Sequence, residues 1–113
     1  MTTQEVWNHH VDGFVARDVP MVLEDYTENS ILIANGTTYN GVDAITDFFT
    51  DLFVKLPKDC SFDLTECIVL DKNVFIMWKA ESDTVVYEFA TDTFTIENGK
   101  ITLQTFGCVM RTK

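Results

Sequence analysis

Residues 41–57, GVDAITDFFTDLFVKLP, carry the clearest periodicity in the chain and organise the reading of everything on either side. Val42, Ile45, Phe48, Phe49, Leu52, Phe53 and Leu56 fall on one wide helical stripe, and Pro57 requires the helix to end before it. Gly36 and then Asn40-Gly41 punctuate a loop ahead of this helix. Beyond Pro57 the helical period disappears. From Ser61 onward the runs SFDLTECIVL, VFIMWKA, VVYEFATDTFTI and KITLQTFGCVM read as strands. They are separated by Asp71-Lys72-Asn73, Ser82-Asp83 and Asn98-Gly99, and Asn-Gly between two alternating runs is a strong hairpin signal. Three successive hairpin connections make an antiparallel meander.

Upstream, Thr2 and Glu5 have capping-box spacing, and Val6, Trp7, His10, Val11 and Phe14 recur at helical intervals, so a first helix spans about residues 3–16. His10 lies on the apolar stripe with Trp7 and Phe14. His9 is rotated about 100° away and is expected to face solvent. Asp18 can cap a short second helix that has Pro20 near its start and runs to about Asp25. A turn at Glu28-Asn29 precedes a short strand, SILIAN.

Helices collected at the front and long strands at the back indicate an α+β fold, with 1–113 as one domain and the helices on one face of the sheet. In the last strand, Ile101, Leu103 and Val109 read to one side and Phe106, Cys108 and Met110 to the other. An antiparallel sheet with two apolar faces needs two covers. The helices supply one, and a second copy of the chain, forming a homodimer through the outer sheet face, supplies the other. The alternative is a sheet bent so far that both sets meet inside.

Eighteen acidic against eight basic residues give a formal charge of -10, which repels a phosphate backbone, so no nucleic-acid partner is expected. No window approaches the ~18 uninterrupted apolar residues of a membrane span. The start, MTTQEVW, lacks the pattern of a signal peptide, and a cytoplasmic location follows as the expectation. Cys60, Cys67 and Cys108 form no C-x-x-C pair, which argues against a disulfide framework or structural zinc. The two histidines are adjacent and diverge around the helix, so no metal is expected either.

The order helix, short helix, short strand, long helix, long meander resembles that of the nuclear transport factor 2-like superfamily, which includes the SnoaL-like polyketide cyclases and the ketosteroid isomerases. HHVDGFVARDVPMVLEDYTENS (9–30), YNGVDAITDFF (39–49) and TDTFTIENGKI (91–101) each resemble stretches of that family. The resemblance implies a cone-shaped curved sheet wrapped around the N-terminal helices, a cystatin-like roll, enclosing a mostly apolar pocket. It implies dimerisation through the outer sheet face as well. Members include isomerases, cyclases, dehydratases, epoxide hydrolases and proteins with no catalytic role, so the fold alone does not choose among them.

Matching helix 1 to that of the ketosteroid isomerases puts His10 at the place of their oxyanion-binding tyrosine, with Asp18 at the acidic residue after the helix. The final hairpin puts Asp92 at the place of their oxyanion-binding acid, the group that serves as a standard example of a carboxylic acid kept neutral by an apolar site. Strand alternation sends Val86, Glu88, Ala90, Asp92, Phe94 and Ile96 to one side. The isomerase base, however, falls on Ala34, followed by Asn35 where that family has proline. A conventional ketosteroid isomerase is therefore not expected. His10 as acid/base and Asp92 as hydrogen-bond donor or orienting group form the catalytic alternative, provided that they meet. Trp7, Phe14, Phe49, Leu52, Trp78, Phe94 and Phe106 are the pocket walls in this reading. Nine Phe, three Tyr and two Trp suit a cavity for a small, flat or cyclic apolar ligand, with no cofactor. A non-catalytic binding or interaction module of the same fold is the second reading.

Overall fold

The computed structural model describes residues 1–113. Helix α1, Thr3–Ala16, begins with the capping box: the Thr2 hydroxyl accepts from the Glu5 amide and the Glu5 carboxylate accepts from the Thr2 amide. Helix α2, Val19–Leu23, is capped by Asp18, whose carboxylate accepts from the Met21 amide at 3.0 Å. The two helices approach closely at Gly13, where an added Cβ would lie 2.9 Å from Val22 Cγ2. Helix α3, Gly41–Lys55, buries Ile45, Phe49 and Leu52 along the stripe read from the sequence. No helix is long and apolar enough to cross a membrane.

The strands are β1 (Ile31–Ala34), β2 (Thr37–Asn40), β3 (Ser61–Leu70), β4 (Asn73–Glu81), β5 (Val85–Glu97) and β6 (Lys100–Thr112). They form one curved, unclosed sheet in the order β2-β1-β6-β5-β4-β3. The meander β3 to β6 is antiparallel throughout, whereas β1 runs parallel to β6. The helices cover the inner face, and the largest fully buried side chains, Phe49, Phe94, Leu32, Ile45, Leu56 and Ile101, come from both layers.

Three local expectations need correction. The stretch read as a loop before α3 contains strand β2, which pairs with β1 across Asn35-Gly36, both at positive φ (49° and 86°). These two left-handed residues are what a two-residue hairpin turn demands. Glu88 does not share a side with Asp92. The β5 register shifts between Tyr87 and Phe89, and the bulge turns Glu88 outward to pair with Arg111 at 3.1 Å. A second shift, between Thr95 and Ile96, puts Ile101 in the core while Leu103 and Val109 stay on the exposed face.

Candidate functional site

Asp92 sits at the middle of β5, in register with Ile76 on β4 and Phe106 on β6. Its same-face diagonal neighbours are therefore Trp78 and Gln104, close enough for long polar side chains to meet. Trp78 Nε1 donates to Asp92 Oδ1 at 2.8 Å, and Gln104 Nε2 donates to Asp92 Oδ2 at 2.9 Å. The Gln104 carbonyl in turn accepts from the Tyr26 hydroxyl. All four groups are buried. Burial raises the Asp92 pKa from 3.8 to about 6, against the lowering effect of its two donors. Each oxygen accepts a single protein hydrogen bond and keeps further lone-pair capacity.

His10 projects from α1 into a cage of rings. It stacks on Trp7 with centroids 5.6 Å apart, and Phe94, Phe49 and Tyr26 meet it edge-on at 5.1, 5.9 and 6.1 Å. Burial among these rings, helped by the charge of His9, lowers its pKa to about 3. The ring is uncharged at neutral pH. Its Nδ1 is enclosed without a hydrogen-bond partner, and so is Asp25 Oδ2, the nearest carboxylate oxygen, 3.9 Å away. That separation is beyond hydrogen-bond range.

His9 is not the plain solvent residue expected from helical phase. The turn after α2 lies against that side of α1, and His9 Nδ1 meets Asp25 Oδ1 at 2.8 Å while Nε2 lies 3.2 Å from Glu24 Oε1. The hydrogen bond to Asp25 raises the His9 pKa, assisted by both carboxylates. Burial pushes the Asp25 carboxyl up, and His9 opposes that shift. Asp25 thus touches both histidines, one by a hydrogen bond and one by proximity.

Between α1, α3 and the inner sheet face lies a cavity of about 470 Å³, within the ~300–1,000 Å³ range of small-molecule sites. His10, Asp92, Trp7, Phe14, Phe49, Leu52, Trp78, Phe94 and Phe106 all line it, together with Gln104 and Ile76. The rim carries the exposed residues Val15, Lys58, Phe62 and Leu64 and the half-buried Arg17. His10 and Asp92 border the same space without hydrogen-bonding to each other, since Asp92 spends its protein contacts on Trp78 and Gln104. Ala34 is buried in β1 beside Phe106, outside the cavity lining. Asp18 acts as a helix cap.

Sequence reasoning passed over Gln104, Tyr26 and Asp25. Gln104 carries a readable signal, a polar residue on the inward side of an otherwise apolar strand next to the hairpin that holds Asp92. Tyr26 and Asp25 sit in an irregular turn and carry no such signal.

The SnoaL-like domain family matches residues 7–104. No curated protein matches the chain. Among solved structures, the epoxide hydrolase/cyclase-like enzyme SalBIII, described in pyran ring formation in salinomycin, superposes with a TM-score of 0.79 at 19% identity, covering 98% of this chain and 95% of its own. A candidate ketosteroid isomerase from Kribbella flavida superposes with a TM-score of 0.77 at 10% identity, covering 95% and 77%. A cystatin-fold protein from Novosphingobium aromaticivorans gives 0.73 at 16% identity, covering 94% and 97%. Identities this low establish the shared fold alone, whereas the family match spans most of the chain: it belongs to the SnoaL-like domain family.

Proposed function

We propose that this SnoaL-like domain binds a small, largely apolar organic molecule in its internal cavity and moves a proton on it, in chemistry of the isomerase, cyclase or dehydratase kind. The observation that carries the reading is a buried carboxylate, Asp92, on the wall of an apolar cavity, with its pKa raised to about 6. A general base works best when its pKa lies near the operating pH, and a carboxylate at 3.8 would be a weak proton acceptor. The acid/base role thereby passes to Asp92 from His10, the residue to which the sequence assigns it. Asp92 takes the proton, and its contacts with Trp78 and Gln104 hold it in one orientation. His10, with a pKa of about 3, stays neutral, and with its Nδ1–H turned to Asp25 its Nε2 is an acceptor for a hydroxyl of the substrate. A substrate that draws the ring toward Asp25 would give Nδ1 the partner it lacks and fix the tautomer. Tightening of this kind on substrate binding is common.

The test uses 2-tetralone, a bicyclic ketone with acidic protons next to its carbonyl. Quenching of Trp7 and Trp78 fluorescence measures binding, and proton NMR in deuterated buffer measures exchange of the α-protons. Binding with accelerated exchange that disappears in Asp92→Asn at unchanged affinity is the expected result. Binding with no exchange above buffer would leave the second reading, a non-catalytic binding module, which the alanine at position 34 favours. Absence of binding up to millimolar ketone would overturn the cavity reading altogether.

The same proposal includes a homodimer through the outer sheet face. Leu103, Val109, Ile31, Ile33 and Phe89 are all more than a third exposed there, which supports a second cover. Sedimentation of the wild type as a monomer at micromolar concentration would remove it. Three free thiols, Cys60, Cys67 and Cys108, suit the reducing cytoplasm proposed as its location; retention of activity only after oxidation would speak against that.

A further inference from the structure

Five of the eight basic side chains have a carboxylate partner within 4.0 Å: Lys55, Lys72, Lys79, Arg111 and Lys113. The other three are Lys100, which donates to the Glu24 carbonyl, and two residues that both line the cavity, Arg17 and Lys58. In a chain with a net charge of -10 acidic partners are plentiful, so two unpaired cations on one rim call for an explanation. No acidic residue joins them at the mouth, because the single carboxylate lining the cavity is Asp92 on the sheet wall.

Arg17 is held in place. It ends α1 in the left-handed conformation (φ 54°), and its guanidinium lies over the Phe14 ring at 4.7 Å and faces the Phe53 ring at 5.7 Å. Nε donates to the Leu56 carbonyl at 2.8 Å and Nη1 to the Phe14 carbonyl at 2.7 Å. Nη2 has only long contacts, 3.4 Å to the Pro57 carbonyl and 3.4 Å to Cys60 Sγ. One end of the fork is thus anchored by neutral carbonyls that leave its charge uncompensated, and the other end keeps donor capacity. Lys58 is exposed and makes no hydrogen bond or ion pair, so its ammonium is free to close over whatever enters.

We propose that the cavity's ligand is an amphipathic organic acid, whose apolar ring body lies against the aromatic walls while its carboxylate stays at the rim between Arg17 and Lys58. This inference rests on the ligand-binding reading above and specifies the ligand's class. The arrangement keeps the anion away from Asp92: a carboxylate pushed inward would meet a like charge in a low-dielectric wall, and one left at the rim meets two cations. The acid therefore enters in one direction, with its carbon skeleton at Asp92 and His10.

The experiment compares 2-naphthoate with its neutral isostere 2-naphthamide by tryptophan quenching at low ionic strength, on wild type, Lys58→Gln and Arg17→Gln. The naphthoate is expected to bind about tenfold more tightly than the amide, a margin that charge-assisted hydrogen bonds at a partly exposed rim supply. Lys58→Gln, at an exposed position, should lose most of that preference without weakening the amide, and 0.5 M salt should do the same to the wild type. Arg17→Gln should also lose it. If that variant proves unstable, Lys58→Gln and the salt series decide. Equal affinity for both probes in the wild type would overturn the organic-acid inference while leaving the cavity reading intact. If neither probe binds, the cavity reading and this inference fall together. A preference for naphthoate that survives both Lys58→Gln and high salt would show that the anion is held elsewhere and would overturn the rim assignment.

Discussion

Replacing Asp92 by Asn removes the titrating proton and keeps the shape, and the consequence is a stability difference that depends on pH. In the folded protein the carboxyl has its pKa raised from 3.8 to about 6. A raised carboxyl pKa means that the folded state binds its proton more tightly than the unfolded chain, so the associated stability is fully present below pH 3.8 and is lost as pH rises through 6. The shift corresponds to about 3 kcal/mol. Asn carries no such dependence. It does introduce a constant penalty, because its amide group must face one of two donors, Trp78 Nε1 or Gln104 Nε2. Gln104 cannot turn round to accept without giving up the Tyr26 hydroxyl. A lost buried hydrogen bond of this kind costs about 1–3 kcal/mol. The variant should therefore be close to the wild type in stability at pH 7.5, where the two effects oppose, and less stable by about 1–3 kcal/mol at pH 4. Urea unfolding at fixed protein concentration, read by the two buried tryptophans from pH 4 to 8, measures the difference directly. His9, His10 and Asp25 titrate in both proteins and cancel. Curves that stay parallel over this range would refute a raised Asp92 pKa, and with it the argument that Asp92 is tuned as a base.

His10→Phe should behave in the opposite sense. A histidine pKa lowered from 6.5 to about 3 costs the wild type stability as pH falls below 6.5, so the phenylalanine variant should gain about 3 kcal/mol relative to wild type by pH 4.5, and a pH-independent difference would contradict the burial of an uncharged ring. Asp25→Asn should lower the NMR titration midpoint of His9, whose raised pKa stabilises the fold below 6.5 and ceases to do so as pH climbs through the raised value; an unmoved midpoint would mean the pair does not form in solution. Gly13→Ala should lower the melting temperature, because the new methyl meets Val22 Cγ2 at 2.9 Å and overpacking costs about 1–3 kcal/mol. Helix propensity alone predicts a gain of up to ~1 kcal/mol, so a raised melting temperature would show that the α1–α2 approach is looser.

The parts of this fold that were legible in the sequence are those set by local chemistry. The capping box at Thr2, the Asp18 cap, the stripe of α3 and the Asn98-Gly99 hairpin each rest on a few neighbouring residues, and each forms as read. Strand β2 is not legible, although Asn35-Gly36 is the same dipeptide signal, because TTYN holds one apolar residue and shows no alternation. A period of two puts Glu88 and Ile101 on the wrong sides because it assumes an unbroken ladder, and bulges at Tyr87/Phe89 and Thr95/Ile96 reset the phase. Helical phase alone misplaces His9 in solvent, because it gives a direction and not what packs there. The turn after α2 supplies Asp25, and only tertiary placement buries it.

The polar groups inside this apolar domain divide into two sets, and their division is what makes His10 informative. On the sheet side, Tyr26, Gln104, Asp92 and Trp78 form a continuous hydrogen-bonded chain with every member satisfied, an arrangement that fixes orientation. On the helix side, Asp25 binds His9. His10 stands between them and belongs to neither, its Nδ1 enclosed with no partner. An unpartnered buried polar atom costs about 1–3 kcal/mol, and a position ringed by Trp7, Phe49 and Phe94 would be filled at lower cost by Phe or Leu. Packing therefore does not account for an imidazole here. Asp25 Oδ2, the other enclosed atom without a partner, lies 3.9 Å away, so a movement of about 1 Å would satisfy both and orient the ring toward the cavity. The protein thus holds two unmet hydrogen-bonding groups within about 1 Å of pairing, and one of them belongs to a ring that lines the cavity.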